Sequence, residues 1–360
     1  MSNNTIPWIE KYRPRKLDEV ISQEESISIL NNTLKTGELP HLLLYGGPGT
    51  GKTSSVLALS NQLFGPTRVN ERVIELNASD ERGINVVRGK IISFAKVAIG
   101  TADPKYLCPP YKIIILDEAD AMTKEAQAAL RKVMEENSNI TRFCFICNYI
   151  NQIIEPINSR CVKIRFKPIN RKSIISKLEW ISQREHMNIN RDALKSIAEI
   201  ANGDLRKSIL MLQNIKYIKV DYLNIGNHSY CGEDNFIGNV IIKDTTKNNE
   251  LTSSEEIKSS DIYEMCKYIS REELNVYVEK IRATNSICTI IKLTKDIINK
   301  GFVFSSVINK MIEYIIDNDD IDDITKAKIL FEMSFIEKNI NDGADEYIQL
   351  LKLLNNISNI

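Results

Sequence analysis

Neither sign of charge prevails in this 360-residue chain, where 47 Lys and Arg stand against 47 Asp and Glu. No bulk basic field draws it to nucleic acid, so any such contact must come from a local patch. Histidine is scarce. His41, His186 and His228 are isolated, and none sits at metal-ligand spacing. No apolar run approaches the length that spans a bilayer, so no membrane partner is expected. The seven cysteines (Cys108, Cys144, Cys147, Cys161, Cys231, Cys266, Cys288) are scattered, with no apolar leader, which suits free thiols in a reducing compartment. Cys144-x-x-Cys147 lies in an apolar run without a second pair at ribbon spacing. Buried strand cysteines are expected there, not zinc ligands. Core-forming material is plentiful: 43% of residues are hydrophobic, enough for two or three domains at this length.

The chain is organised around residues 41–64. Leu42-Leu43-Leu44-Tyr45 reads as a buried parallel strand, and it breaks into Gly46-Gly47-Pro48-Gly49-Thr50-Gly51-Lys52-Thr53, with Ser54 next. Glycines there let successive backbone N–H groups turn inward around a phosphate, and the helix opening near Lys52 adds its positive dipole end. Lys52 is expected to reach the β- and γ-phosphates of a nucleotide, and Thr53 to offer its hydroxyl to Mg²⁺. Val56, Leu57 and Leu63 give that helix an apolar face before Gly65-Pro66 stops it. The second anchor is Ile113-Ile114-Ile115-Leu116-Asp117-Glu118. In an open α/β sheet the carboxyl ends of the strands face the ligand. Asp117 is placed there to hold the Mg²⁺ shell, and Glu118 to polarise a water for attack on the γ-phosphate.

Other positions leave alternatives open. The strap Pro7 to Val20 holds two prolines that forbid a regular helix; it either packs as an N-terminal arm or lies over an adenine through Ile9 and Tyr12. Asn148 ends the strand Arg142–Cys147 and either caps a turn or bonds water and γ-phosphate. Arg88 and Lys90 lie on a helix expected over Asn85–Ala98, and on composition they are simply exposed basic residues. Arg160 precedes the strand Val162–Phe166 and alone reads as a surface charge. After Pro168 the pattern turns helical, at Ser173–Arg184, Asp192–Ala201 and Asp204–Ile218. Periodicity then fades into a polar stretch, read as a flexible insertion, before helices return near Ile262–Arg282, Ser286–Asn299, Val303–Ile316, Thr325–Asn339 and Ala344–Ile357. Val303, Val307, Met311 and Ile315 form the core stripe of a bundle helix.

Taken together, Trp8-Ile9-Glu10-Lys11-Tyr12-Arg13-Pro14, the Gly-rich loop, Glu75 to Ile84, Ile115 to Asp120, Asn148, Ser159-Arg160-Cys161 and Gly203-Asp204-Leu205-Arg206 resemble a small subunit of replication factor C, the eukaryotic clamp loader. Tyr347 to Leu351 resembles that family's collar. The Asp-Glu-Arg-Gly turn and Cys108-Pro109-Pro110 look most like the branch numbered two in budding yeast and four in animals. The resemblance implies an α/β AAA+ P-loop ATPase module on a parallel five-stranded sheet (1–167), a small helical lid (168–225), a flexible polar insertion (226–260) and an all-helical collar for oligomerisation (261–360). It implies ATP and Mg²⁺ as cofactors, with Ile9, Tyr12 and Arg13 at the adenine end and Gly46 to Ser54 around the phosphates. Asn148 would be sensor 1, and Arg206 sensor 2. Arg160 would act in trans as an arginine finger on a neighbouring subunit's ATP. Arg82, Arg88 and Lys90 would follow the backbone of primer-template DNA, and Phe94 to Ile99 would face the sliding clamp. The implied partners are the other replication factor C subunits in a hetero-pentamer, the clamp and DNA, with a nuclear location. Gly47 departs from the family's usual second proline, which loosens the loop without removing a phosphate ligand. The rival readings are a branch-migration helicase, which favours a winged C-terminal domain, and a structural subunit that binds ATP without turnover.

Overall fold

The structure is a computed structural model and describes residues 6–78, 89–94, 97, 103–226, 256–284 and 286–358. The chain divides into two units, Met1–Met187 with Ile197–Val240 and Asn188–Ser196 with Ile241–Ile360.

The first unit is built on a parallel sheet of β1 (Leu42–Gly46), β2 (Val73–Asn77), β3 (Lys112–Asp117), β4 (Thr141–Cys147) and β5 (Val162–Phe166), in the order β2-β3-β4-β1-β5. Strands covered on both faces are near-continuously apolar, and β1, β3 and β4 have that composition. Their alternate residues divide two cores. Leu42, Leu44, Ile113, Ile115 and Ile146 pack with Val56, Leu59 and Leu63 of α3 (Lys52–Arg72). Leu43, Ile114, Leu116, Phe143 and Phe145 pack with Leu130, Val133 and Met134 of α4 (Lys124–Glu136). Cys144 and Cys147 are buried within these strands and free, as expected. β5 closes one edge and exposes Val162, Lys163 and Arg165; charge on an edge strand discourages further pairing.

The helices refine several expectations. α1 (Trp8–Lys11) makes one helical turn where the prolines were expected to exclude any, because Pro7 stands at its N-cap and needs no N–H partner there. α2 (Glu24–Thr36) ends at Gly37 with φ 75°. α3 does not stop at Gly65. That residue is non-helical (φ 75°, ψ 161°), and the chain resumes a helix through Pro66 to Arg72, since proline is pre-organised for a first helical position. Of the helix expected over Asn85–Ala98, residues 89–94 are helical and Ile91 is buried; most of the rest lies outside the described residues. The short α5 (Glu155–Asn158) precedes β5, and α6 (Arg171–Arg184), α7 (Arg191–Ala201) and α8 (Leu205–Gly226) follow it as the lid helices.

In the second unit, α9 (Ser259–Cys266), α10 (Arg271–Thr284), α11 (Ile287–Asn299), α12 (Phe304–Asp317), α13 (Asp323–Asn341) and α14 (Glu346–Ser358) make an all-helical domain. The single helix expected near 262–282 is broken at Lys267, which is left-handed at φ 52°. Packing imposes the break: the Lys267 carbonyl accepts from Val303 N at 2.8 Å, and Ile269 N donates to Ser306 Oγ at 2.9 Å. Val307, Met311 and Ile315 are core residues, whereas Val303 is the N-cap of α12 and 39% exposed. The insertion expected over 226–260 falls outside the described residues from 227 to 255. At its end, Ile257 exchanges backbone hydrogen bonds of 3.0 Å with Asn188 and Asn190.

Candidate active site

Strand order assembles the site. β3, β4 and β1 are neighbours, with Leu116 beside Phe145 and Tyr45 beside Cys147. The segments that follow them, beginning at Gly46, Asp117 and Asn148, therefore emerge side by side at the carboxyl edge. There they enclose a cavity of about 380 Å³ with α1, the strap after it and the lid.

At one end lies the Gly-rich loop, with Pro48, Gly49, Thr50, Gly51, Lys52, Thr53 and Ser54 in the wall. Its conformation demands glycine. Gly46 has φ 147°, and a Cβ on it would stand 2.2 Å from the Phe166 carbonyl; Gly49 has φ 64°, and a Cβ there would stand 1.7 Å from Asp204 Oδ1. Lys52 is only 7% exposed. Its amine donates to the Gly46 and Gly47 carbonyls at 2.8 Å each and to Asn148 Oδ1 at 3.0 Å. Burial pushes the amine below the usual lysine range, against the pull of Asp117. A cation so held is stabilised by an anion arriving beside it.

Thr53 Oγ1 donates to Asp117 Oδ2 at 2.7 Å, a pair of hard oxygens. Mg²⁺ binds through one or two such protein oxygens plus substrate phosphates. Among the described residues no cluster of three His, Cys, Asp or Glu could hold a metal by itself. Glu118 is left-handed (φ 53°, ψ 39°) and exposed, and its N–H donates to Asp117 Oδ1 at 2.9 Å. Such backbone strain in a non-glycine residue is concentrated at functional sites. Asp120 steadies the next strand end, its Oδ2 accepting from Asn148 N at 3.0 Å and Tyr149 N at 3.1 Å.

At the other end Ile9, Tyr12 and Arg13 line the cavity, joined by Val20, Ile21, Ile169 and Ile209 in an apolar wall suited to a purine. Arg13 pairs with Glu10 at 3.1 Å and reaches Ser54 Oγ at 3.5 Å. The lid meets the loop directly, as Leu205 N donates to the Gly49 carbonyl at 3.2 Å, and Arg206 joins the wall. Polyanion-binding loop, Mg²⁺-type oxygens and apolar slot fit a nucleoside triphosphate with its metal.

Sequence reasoning missed Asn77, which stands opposite Asp117 in the β2–β3 register and lines the cavity. It also missed Asp120, Asp204 and the apolar residues of strap and lid; the Asp-Glu-Ala-Asp and Gly-Asp-Leu-Arg strings were the available signals for the two acids. Four further candidates sit elsewhere or beyond description. Arg160 is outside this cavity and bonds Glu135 Oε1 at 2.7 Å and the Pro156 carbonyl at 2.8 Å. Lys90 is exposed on the 89–94 helix. Arg82 and Arg88 lie outside the described residues.

Comparison with known proteins places these features in company. A family model for the ATPase family associated with various cellular activities (AAA) matches residues 42–169, an RCF1/5-like AAA+ ATPase lid model matches 176–217, and a replication factor C C-terminal domain model matches 269–356. Replication factor C subunit 2 of Schizosaccharomyces pombe is 40% identical over 357 residues, covering 99% of this chain and 95% of that protein. Replication factor C subunit 4 of Homo sapiens is 38% identical over 349 residues, covering 97% and 86%. Among solved structures, a point mutant of Thermotoga maritima RuvB matches with a TM-score of 0.51 at 15% identity, covering 75% of this chain and 79% of that one, a likeness of fold alone.

Proposed function

Because this chain belongs to the replication factor C family, we propose that it is an ATPase subunit of a clamp loader, acting with other subunits of that family to open a sliding clamp and load it at primer-template junctions in DNA replication and repair. The observation that carries the chemistry is the meeting of Lys52, Thr53, Asp117, Glu118, Asn148 and Arg206 around one cavity. In this reading the loop amides from Gly46 to Ser54 cradle the phosphates, and Lys52 leaves its carbonyl partners for the β- and γ-phosphates. Mg²⁺, held by Thr53 and Asp117, would neutralise the charge that develops on the phosphoryl group. Glu118 orients the attacking water, Asn148 fixes its position as sensor 1, and Arg206 senses the γ-phosphate from the lid. Ile9, Tyr12 and Arg13 hold the adenine end. Arg160 serves a neighbour's ATP, a role supported by its exposed place just before the edge strand and outside its own cavity.

The domain division proposed is 1–167 for the ATPase module, 168–225 for the lid, 226–260 for the insertion and 261–360 for the collar. Arg82, Arg88 and Lys90 are proposed to contact the DNA backbone, and the site of action is the nucleus. A C-terminal match to replication factor C speaks against the branch-migration reading.

Two substitutions test the chemistry within a complex assembled from all its subunits. Lys52→Ala abolishes nucleotide binding at this site; Glu118→Gln retains binding and loses turnover there. Undiminished site-resolved hydrolysis in Glu118→Gln would remove it from catalysis.

A further inference from the structure

The adenine end of the cavity is walled by a helix too short to hold itself. α1 is a single turn, and isolated turns have no stability of their own. Its supports come from the lid. Trp8 N donates to Gln213 Oε1 at 3.0 Å, and the Lys216 amine lies 5.3 Å over the Trp8 ring. The convergence point is Glu185, the residue that ends α6, whose side chain is 10% exposed. Its Oε1 accepts from Lys11 Nζ at 2.6 Å and from Tyr12 OH at 2.5 Å. Its Oε2 accepts from Lys216 Nζ at 2.9 Å, and the same amine donates to the Glu185 carbonyl at 3.0 Å. Burial alone would raise this carboxyl, yet the three donors outweigh it and hold the group at about 2. Tyr12 is further confined edge-on between Trp8 and Trp180, at ring distances of 6.3 and 5.6 Å. One carboxylate thus ties the strap residues beside the base to α6 and α8, while the first turn of α8 supplies Leu205 and Arg206 at the phosphate end.

We infer that Glu185 is a positioning residue for the base: by fixing Tyr12 and Lys11 to the lid it sets affinity for the adenine part of the ligand, separately from the loop that sets affinity for the triphosphate. The inference rests on the nucleotide reading of the cavity. Glu185 lies outside the cavity wall, so its effect is transmitted through Tyr12. Replacing the carboxylate by an amide removes the charge and one of its two acceptor oxygens and sets an N–H₂ group against the remaining donors, so the strap no longer presents one fixed wall.

The test uses the full chain and calorimetric binding of two probes, ATP and inorganic tripolyphosphate. Glu185→Gln is expected to weaken ATP roughly tenfold and to change tripolyphosphate by less than about twofold. Tyr12→Phe, which keeps the ring and loses the hydroxyl, shifts the same way by less, and the double variant is no weaker than the product of the singles. A general loosening would weaken both probes alike, and that result, or an unchanged ATP affinity, overturns the inference. Should Glu185→Gln fail to fold, the ATP-to-tripolyphosphate split in Tyr12→Phe decides it. Lys52→Ala separates the two readings. If it leaves both probes bound as before, the nucleotide reading fails and this inference with it; if it abolishes both while Glu185→Gln shows no split, only the inference falls.

Discussion

Single side chains set the electrostatics of this site, and Lys52 and Glu185 do so with opposite signs. Lys52 is a buried cation leaning on carbonyls, an arrangement that an anion placed beside it would stabilise. Glu185 is a buried anion already satisfied by three donors, an arrangement that improves nothing further and instead holds geometry. Its titration gives a pH prediction. The folded carboxyl titrates at about 2 against an ordinary 4.5, so its contribution to stability is complete above 4.5 and fades as pH falls from there toward 2. Thermal melts between pH 5 and pH 3 should therefore fall more steeply for wild type than for Glu185→Gln. Parallel curves would show that the hub carries no acid-side stability.

At the scale of elements, the decisive feature of the first unit is how α3 departs from its strand and how it bends. Gly51 at φ 94° starts the helix at Lys52, and Gly65 breaks it beneath Tyr106. A Cβ on Gly65 would stand 2.4 Å from the Tyr106 ring, in a backbone conformation that side chains rarely adopt. Gly65→Ala is expected to cost on the order of 1–3 kcal/mol, measured as a shift of the denaturation midpoint at unchanged slope. A midpoint equal to wild type would mean the ring swings aside freely. β3 begins with another buried cation. Lys112, 1% exposed, donates to the carbonyls of Phe94 at 2.6 Å and Val97 at 2.5 Å. It thereby ties Phe94 of the 89–94 helix and Val97 to β3, so the proposed DNA-contacting helix is tethered to the strand that ends at Asp117, just before Glu118.

For the whole molecule, the proposed function has the catalytic set completed by a second chain. Lys52, Asp117 and Glu118 converge, but Arg160 bonds Glu135 on its own surface. If Arg160 serves a neighbour's ATP as proposed, its charge acts only when subunits are stacked, and hydrolysis would be coupled to assembly. The isolated chain is expected to hydrolyse ATP poorly and the assembled complex to do so well. Arg160→Ala in the complex should spare this subunit's own ATP binding and lower hydrolysis at the adjacent site by roughly 10³- to 10⁵-fold. Turnover measured with each other subunit's loop lysine disabled in turn locates the loss. A loss at this subunit's own site, or none, would return Arg160 to the status of a surface charge.

The sequence by itself determined the local chemistry and the class of fold. Gly46 to Thr53 and Ile113 to Glu118 announce phosphate and metal groups because their glycines, lysine and carboxylates act through contacts of a few residues' span, and the apolar runs announce buried parallel strands. Resemblance extended that reading to the lid and collar. Tertiary structure alone decided which ends meet. The order β2-β3-β4-β1-β5 sets Asn148 against Lys52 and Asn77 against Asp117 across separations that no local pattern encodes. It also decided the break at Lys267, where bonds to Val303 and Ser306 override helix periodicity. It brought Glu185 to Lys11 and Tyr12 as well, a contact invisible in sequence because a lone glutamate after a helix has no signature until packing removes it from water and gives it three donors.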